Sequence, residues 1–175
     1  PVKSFEPVAC LQGGAQMVIV RNDLAAKTIP EFIALARSQP GKLTFGSGNG
    51  SARGAAELFK IMAKVDILGV PYKTQPQVIA DLLGGRIDVT FSDFTTGLPP
   101  VKSGHARGLG VTSLERYPGL EQYPAVAEFV PGYESRPWNA VYAPAGTPRP
   151  IVDKHNALIR EAMKSETYLN LMKTT

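Results

Sequence analysis

Phe45-Gly46-Ser47-Gly48-Asn49-Gly50-Ser51 is the stretch on which the rest of this sequence turns. Ahead of it, residues 43–45 form a brief apolar run that reads as a strand. Behind it, Ala55, Leu58, Ile61, Met62 and Val65 recur at helical spacing. A glycine-rich turn that leaves a strand and opens a helix lets backbone approach a ligand, while orphan N–H groups and the helix dipole favour negative charge. Ser47, Asn49 and Ser51 add uncharged donors suited to a carboxylate or phosphate. A tight structural turn, with Ser51 capping the helix, accounts for the same residues. Both remain open on these residues alone.

Working outward, the same strand-and-helix rhythm fills the chain. Residues 8–11 and 17–20 are apolar runs split by Gly13-Gly14, read as strand, turn, strand. Thr28-Ile29-Pro30-Glu31 is a capping box with proline in the first turn, and Pro40-Gly41 stops the helix it opens. Strands follow at 67–70, 87–91, 109–112 and 139–143. Helices are expected at 76–83 and 125–129, with a short helical turn before Pro99-Pro100 and a last helix from Pro148 to about Met172. This alternation predicts an α/β chain with a mostly parallel sheet.

Composition narrows the function classes. The 175 residues are 43% hydrophobic and 19% charged, globular values, and 17 Gly with 15 Pro mark many turns. One cysteine, Cys10, excludes an internal disulfide framework and a cysteine metal cluster. The net charge of +4 is scattered singly, without the basic, aromatic-laced stripe of a nucleic-acid binder. No apolar stretch approaches the ~20 residues of a membrane span. The chain opens on Pro1, which suits a processed, trimmed or partial product.

Sharper motifs fail. A dinucleotide fingerprint needs a third glycine where Ser51 or Arg53 stands, and a phosphate loop needs Gly-Lys-Ser/Thr where Gly50-Ser51-Ala52 stands. His105 and His155 have no Gly-x-Ser-x-Gly elbow to serve, and His155, among Ile151, Leu158 and Ala162, reads as a partly buried helix residue. No metal-ligand spacing occurs, and Asp81, Asp88 and Asp93 are well spread. Asp93 follows a strand end and could accept from a ligand or cap the next helix; Tyr72-Lys73 reaches the same edge. Trp138 reads as a core anchor, with a cleft wall as the alternative.

Taken together, several segments resemble the Bug family, the periplasmic solute receptors of tripartite tricarboxylate transporters. Pro40-Gly41-Lys42-Leu43-Thr44-Phe45-Gly46-Ser47-Gly48-Asn49 is similar to that family's Pro-Gly-Lys-Leu-x-Tyr-x-Ser-Gly-Asn stretch. The similarity continues in Val70-Pro71-Tyr72-Lys73, in Asp81-Leu82-Leu83-Gly84-Gly85-Arg86-Ile87-Asp88 and in Val111-Thr112-Ser113. It extends through Pro131-Gly132-Tyr133 and Ala143-Pro144-Ala145-Gly146-Thr147-Pro148.

The resemblance implies a two-lobed periplasmic binding protein (type II) fold, with one lobe largely complete and the other partial. Residues 22–110 would form the second, ligand-loop lobe; 1–21 and 111–175 would supply crossing strands and part of the first. It further implies a receptor, not an enzyme, that captures a small carboxylate (a di- or tricarboxylate or acidic amino acid) and hands it to membrane transporter subunits. Ser47, Gly48, Asn49, Gly50 and Ser51 would hold one carboxylate, with Tyr72 and Asp93 bounding the pocket. No cofactor, metal, nucleic acid or membrane span is expected, and the implied location is the periplasm. Alternatives are an effector-sensing domain of a transcription regulator, a small α/β hydrolase or transferase, and a non-binding fragment that self-associates.

Overall fold

In the computed structural model, residues 2–168 are described, and they divide into two compact units: Ala15–Arg136, and residues 2–14 with 137–168. The larger unit reaches beyond 22–110 at both ends, because β2 (Gln16–Arg21) and the segment after residue 110 are hydrogen-bonded into its sheet.

Its five-stranded sheet has the order β4-β3-β5-β2-β6. The strands are β2, β3 (Thr44–Ser47), β4 (Leu68–Pro71), β5 (Val89–Asp93) and β6 (Ala106–Val111). β3 is parallel to both β4 and β5, whereas β2 runs antiparallel to β5 and β6. The mostly parallel sheet expected from the alternation is therefore a mixed one. β2 is not delivered by a preceding helix, so no crossover forces it parallel. Its backbone is instead shared between β5 and β6, and Met17 to Val20 are wholly buried on both faces.

Helices cover both faces. α1 (Ile29–Ser38) and α2 (Gly50–Ala63) pack Ile29, Phe32, Ala55 and Phe59 against Val18, Val20, Phe45 and Phe91. On the other face α3 (Gln75–Leu83) and α4 (Phe94–Lys102) cover Met17, Ile19 and Ile87. Phe59 is the hub of the first core, its ring 5.7–6.0 Å from those of Phe32, Phe91 and Tyr133. The buried Tyr133 hydroxyl donates to the Ala55 carbonyl at 3.0 Å, and burial pushes its pKa up. At the edge where β3 and β5 begin, Asp88 accepts from Arg21 Nε at 2.9 Å and from Thr44 N at 2.7 Å, tying β2, β3 and β5 in register.

Local sequence logic holds at α1: Thr28 Oγ1 accepts from Glu31 N, and the Glu31 carboxylate accepts from Lys27 N, one residue before the expected cap. Three expectations shift. α2 buries Ala52, Ala55, Ala56, Phe59 and Ala63, not Ile61, which is 74% exposed. α4 continues through Pro99 and Pro100 instead of stopping before them. Its inner face packs Phe94, Leu98 and Val101 on the core, and Gly97 lies close against Ile19 and Ser92. Residues 126–128 form a 3-10 turn.

The smaller unit pairs β1 (Phe5–Gly13) antiparallel with β7 (Trp138–Pro144), and α5 (Arg149–Ala162) packs on β1. β1 and β2 are thus not partners across Gly13-Gly14; each joins a different sheet. α5 buries Val152 and bonds Asn156 to the Val8 carbonyl, so its inward stripe differs from that expected around His155. His155 is exposed, as are Ile151 and Leu158. Trp138 is 59% exposed and its ring lies tilted against that of Tyr142, which in turn meets Phe5 edge-on, so it is no core anchor. The last helix ends at Ala162, with a further turn at 166–168; residues 169–172, expected to continue it, lie outside the described residues.

Phe59→Ala is expected to cost about 3–5 kcal/mol in chemical denaturation, as for other buried aromatics. Ile61→Ala, two residues on, should stay within about 0.5 kcal/mol of wild type. Comparable losses would refute the placement of α2.

Candidate functional site: an anion-binding loop at the sheet edge

Because β3, β4 and β5 are parallel, their carboxyl ends share one edge, where Ser47, Tyr72 and Asp93 all lie. β2 starts there too, with Gln16 paired to Asp93, and Thr112 beyond β6 donates from its amide to the Gln16 carbonyl. The helices α2, α3 and α4 all begin at this edge, so three sets of orphan N–H groups lie along it.

The α2 and α4 N-termini differ in charge. α4 is capped by Asp93, whose Oδ1 accepts from Thr96 N at 2.9 Å; an anionic cap already answers the dipole. Asp93 therefore takes its capping role, and its second oxygen makes no bond among the described residues. α2 is capped by neutral Asn49, not by Ser51. Asn49 Oδ1 accepts from Ala52 N at 2.8 Å and from Ser51 Oγ at 2.9 Å. With Oδ1 turned to the helix, the Asn49 amide nitrogen faces outward as a donor.

This accounting sorts the loop residue by residue. Among the described residues the amides of Asn49, Gly50 and Ser51 have no backbone acceptor, as at the start of any helix. Ser47 is nearly buried, and its hydroxyl makes no bond among the described residues. The Ser51 hydroxyl hydrogen is spent on Asn49. The Gly48 amide is spent as well, donating to Gln75 Oε1 at 3.0 Å. Tyr72 sends its hydroxyl to Asp81 Oδ2 at 2.8 Å while its ring packs over Gly46. Hence Ser47, Asn49, Gly50 and Ser51 form the donor cluster, Gly48 holds the loop in place, and Tyr72 and Asp93 flank it. Arg53 and Lys73 are both exposed on segments that open from this edge.

Two buried side-chain amides, Gln16 and Gln75, lie outside the residues expected from the sequence. Gln75 is 5% exposed; besides accepting from Gly48 it donates through Nε2 to Thr90 Oγ1 at 2.9 Å and to the Phe91 carbonyl at 3.3 Å. Thr90 Oγ1 in turn donates to the Gly46 carbonyl at 2.9 Å. Gln16, on the α2 side of the sheet, is buried with its Oε1 unpartnered. A polar residue at the start of an apolar strand was the available signal for Gln16. Gln75, set between Thr74 and Pro76, offered none.

The chain matches the description "Tripartite tricarboxylate transporter family receptor" over residues 1–175. It belongs to that family. The match is to a family of substrate-binding receptors, not of enzymes. A relative from Pseudomonas sp. (strain P51), the UPF0065 protein in the tcbD-tcbE intergenic region, is 35% identical over 98% of this chain and 52% of its own length. BugT of Bordetella pertussis is 31% identical over 95% of this chain and 53% of its own. The receptor chain thus spans about half the length of these curated relatives.

Among solved structures, R. palustris Rpa4515 with adipate superposes with a TM-score of 0.89 at 33% identity, over 96% of this chain and 57% of that one. MatC (Rpa3494) of Rhodopseudomonas palustris, with bound malate, gives 0.90 at 25% identity, over 97% and 59%. The periplasmic binding protein BugD gives 0.89 at 26% identity, over 97% and 58%. The fold is accordingly the type II periplasmic binding protein fold, in part. Among the described residues no three His, Cys, Asp or Glu side chains are grouped to hold a metal, and no helix is long and apolar enough to cross a membrane.

Gly48 of this receptor sits with a would-be Cβ only 2.2 Å from the backbone of Thr74 and Gln75. Gly48→Ala should therefore lower stability by about 2 kcal/mol or more, since backbone has to move; an unchanged melting temperature would contradict the packing. Arg86, and then Tyr72, hydrogen-bond Asp81 and hold its carboxyl below the ordinary range. That stabilisation is complete above about pH 4 and is lost as pH falls through the lower folded-state value. Asp81→Asn is expected to flatten the acid limb of a plot of melting temperature against pH, and an unaltered limb would show the pair idle.

Proposed function

We propose that this chain is part of an extracytoplasmic receptor that captures a small carboxylate and presents it to the membrane subunits of a tripartite tricarboxylate transporter. The observation that carries this is the neutral-capped start of α2. There Asn49, Gly50 and Ser51 offer unspent backbone N–H groups beside the free Ser47 hydroxyl. Such a cluster suits a carboxylate: several charge-assisted bonds converge on two oxygens, and no counter-cation is needed because the dipole supplies the field. Solved relatives carrying adipate and malate favour a dicarboxylate. A ligand hydroxyl or ammonium group would fall toward Asp93 and Tyr72, with residues 22–110 as the heart of the ligand-loop lobe.

Gly50→Pro tests the donor set directly. Proline is well accepted at the first position of a helix, and Asn49 already has the extended backbone that a residue before proline prefers. A Cβ at Gly50 meets open space. The substitution therefore deletes one N–H donor and little else. Calorimetric titration with adipate and with malate should show saturable binding that Gly50→Pro weakens about tenfold, the worth of one such bond, at unchanged melting temperature. No saturation with adipate, malate, a tricarboxylate or an acidic amino acid would overturn the proposal.

A further inference from the structure

We infer that Gln75 is the positioning residue of the anion-binding loop: it touches no ligand, and it fixes which amides the loop offers. This deepens the carboxylate-receptor proposal and rests on it.

The bonding of Gln75 has a fixed sense. The group facing its Oε1 is an amide N–H, which can only donate; a group facing its Nε2 is the Phe91 carbonyl, which can only accept. The side-chain amide is thus oriented without ambiguity, and only a residue with one acceptor and one donor at that reach satisfies both. From Gly48 N–H the bonds run to Gln75 Oε1, from Gln75 Nε2 to Thr90 Oγ1, and from the Thr90 hydroxyl to the Gly46 carbonyl. The circuit leaves the loop at Gly48 and returns to β3 at Gly46, bracketing Ser47. The Ser47 carbonyl is held separately by Tyr72 N at 2.9 Å. The Gln75–Thr90–Gly46 bonds are buried and the Gly48 bond is part-buried, so each bond strengthens its neighbours and an unmade one is costly.

Two consequences follow for ligand capture. With its amide committed, Gly48 is withdrawn from the donor set, and the anion is left to the first turn of α2. With residues 46–48 pinned, that turn is preorganised, so binding pays little ordering cost. A residue unable to accept from Gly48 frees the loop and leaves a part-buried N–H unsatisfied.

The test uses the receptor chain and its Gln75→Met and Gln75→Glu variants, with adipate as probe. Without ligand, the Gly48 amide should exchange slowly with solvent in wild type and at least tenfold faster in Gln75→Met, measured by NMR. Equal rates in both would overturn the clamp. Adipate affinity should fall about tenfold in Gln75→Met; affinity equal to wild type with a freed Gly48 amide would overturn the positioning role. Protonated glutamate has the shape and bonding of glutamine, and burial raises its pKa. Gln75→Glu should therefore bind poorly at about pH 8 and approach wild type, compared at the same pH, as pH falls toward about 5.5. A residue that merely fills space gives no such recovery, and its absence would overturn the inference. If wild type fails to bind adipate while the Gly48 amide stays protected, the carboxylate-receptor proposal falls and takes the role with it, leaving a structural clamp.

Discussion

The backbone of residues 46–48 must lie against the start of α3, and the site depends on that contact. No side chain fits there: a Cβ at Gly46 would meet Ile87 and Val78 within 2.4 and 2.7 Å, and one at Gly48 would strike Thr74 and Gln75. Close approach brings the Gly48 amide to Gln75 and the Gly46 carbonyl to Thr90. The position of α2 follows, because its cap Asn49 is the next residue. The glycines thus act chiefly by letting α3 reach the loop.

Electrostatics then divides one edge between two helices of opposite disposition. α2 and α4 start at the same carboxyl edge, yet Asp93 gives α4 an anionic cap, and Asn49 leaves α2 with an uncompensated positive end. On the proposed reading, an anion arriving at this edge would be drawn to α2 and turned away from α4. The same Asp93 that repels a carboxylate can accept from a hydroxyl or ammonium group, which gives the edge a polarity along the ligand. Specificity of this kind needs no arginine clamp.

Much of this was legible in the sequence, and the exceptions have physical causes. The strand-loop-helix signature at 43–65, the Thr28 cap and the segments shared with the Bug family located the loop and the fold. Periodicity misplaced His155 because α5 has two weakly apolar stripes and the packed one contains Asn156, whose amide bonds Val8. It misjudged β2 because a strand buried on both faces looks alike whether parallel or antiparallel. Ser51 and Asn49 are both capping residues two positions apart, and only geometry decides that Asn49 reaches Ala52 N. Gln75 stayed hidden because burial of a polar side chain depends on partners distant in sequence, here Gly48, Thr90 and Phe91.

The most direct measurement is an amide-resolved NMR titration of the chain with adipate. A carboxylate seated on α2 should shift the Asn49, Gly50 and Ser51 amide protons downfield, while the Gly48 amide, already bonded to Gln75, moves little. Shifts at Gly48 or at the start of α4 in place of those three would contradict the account.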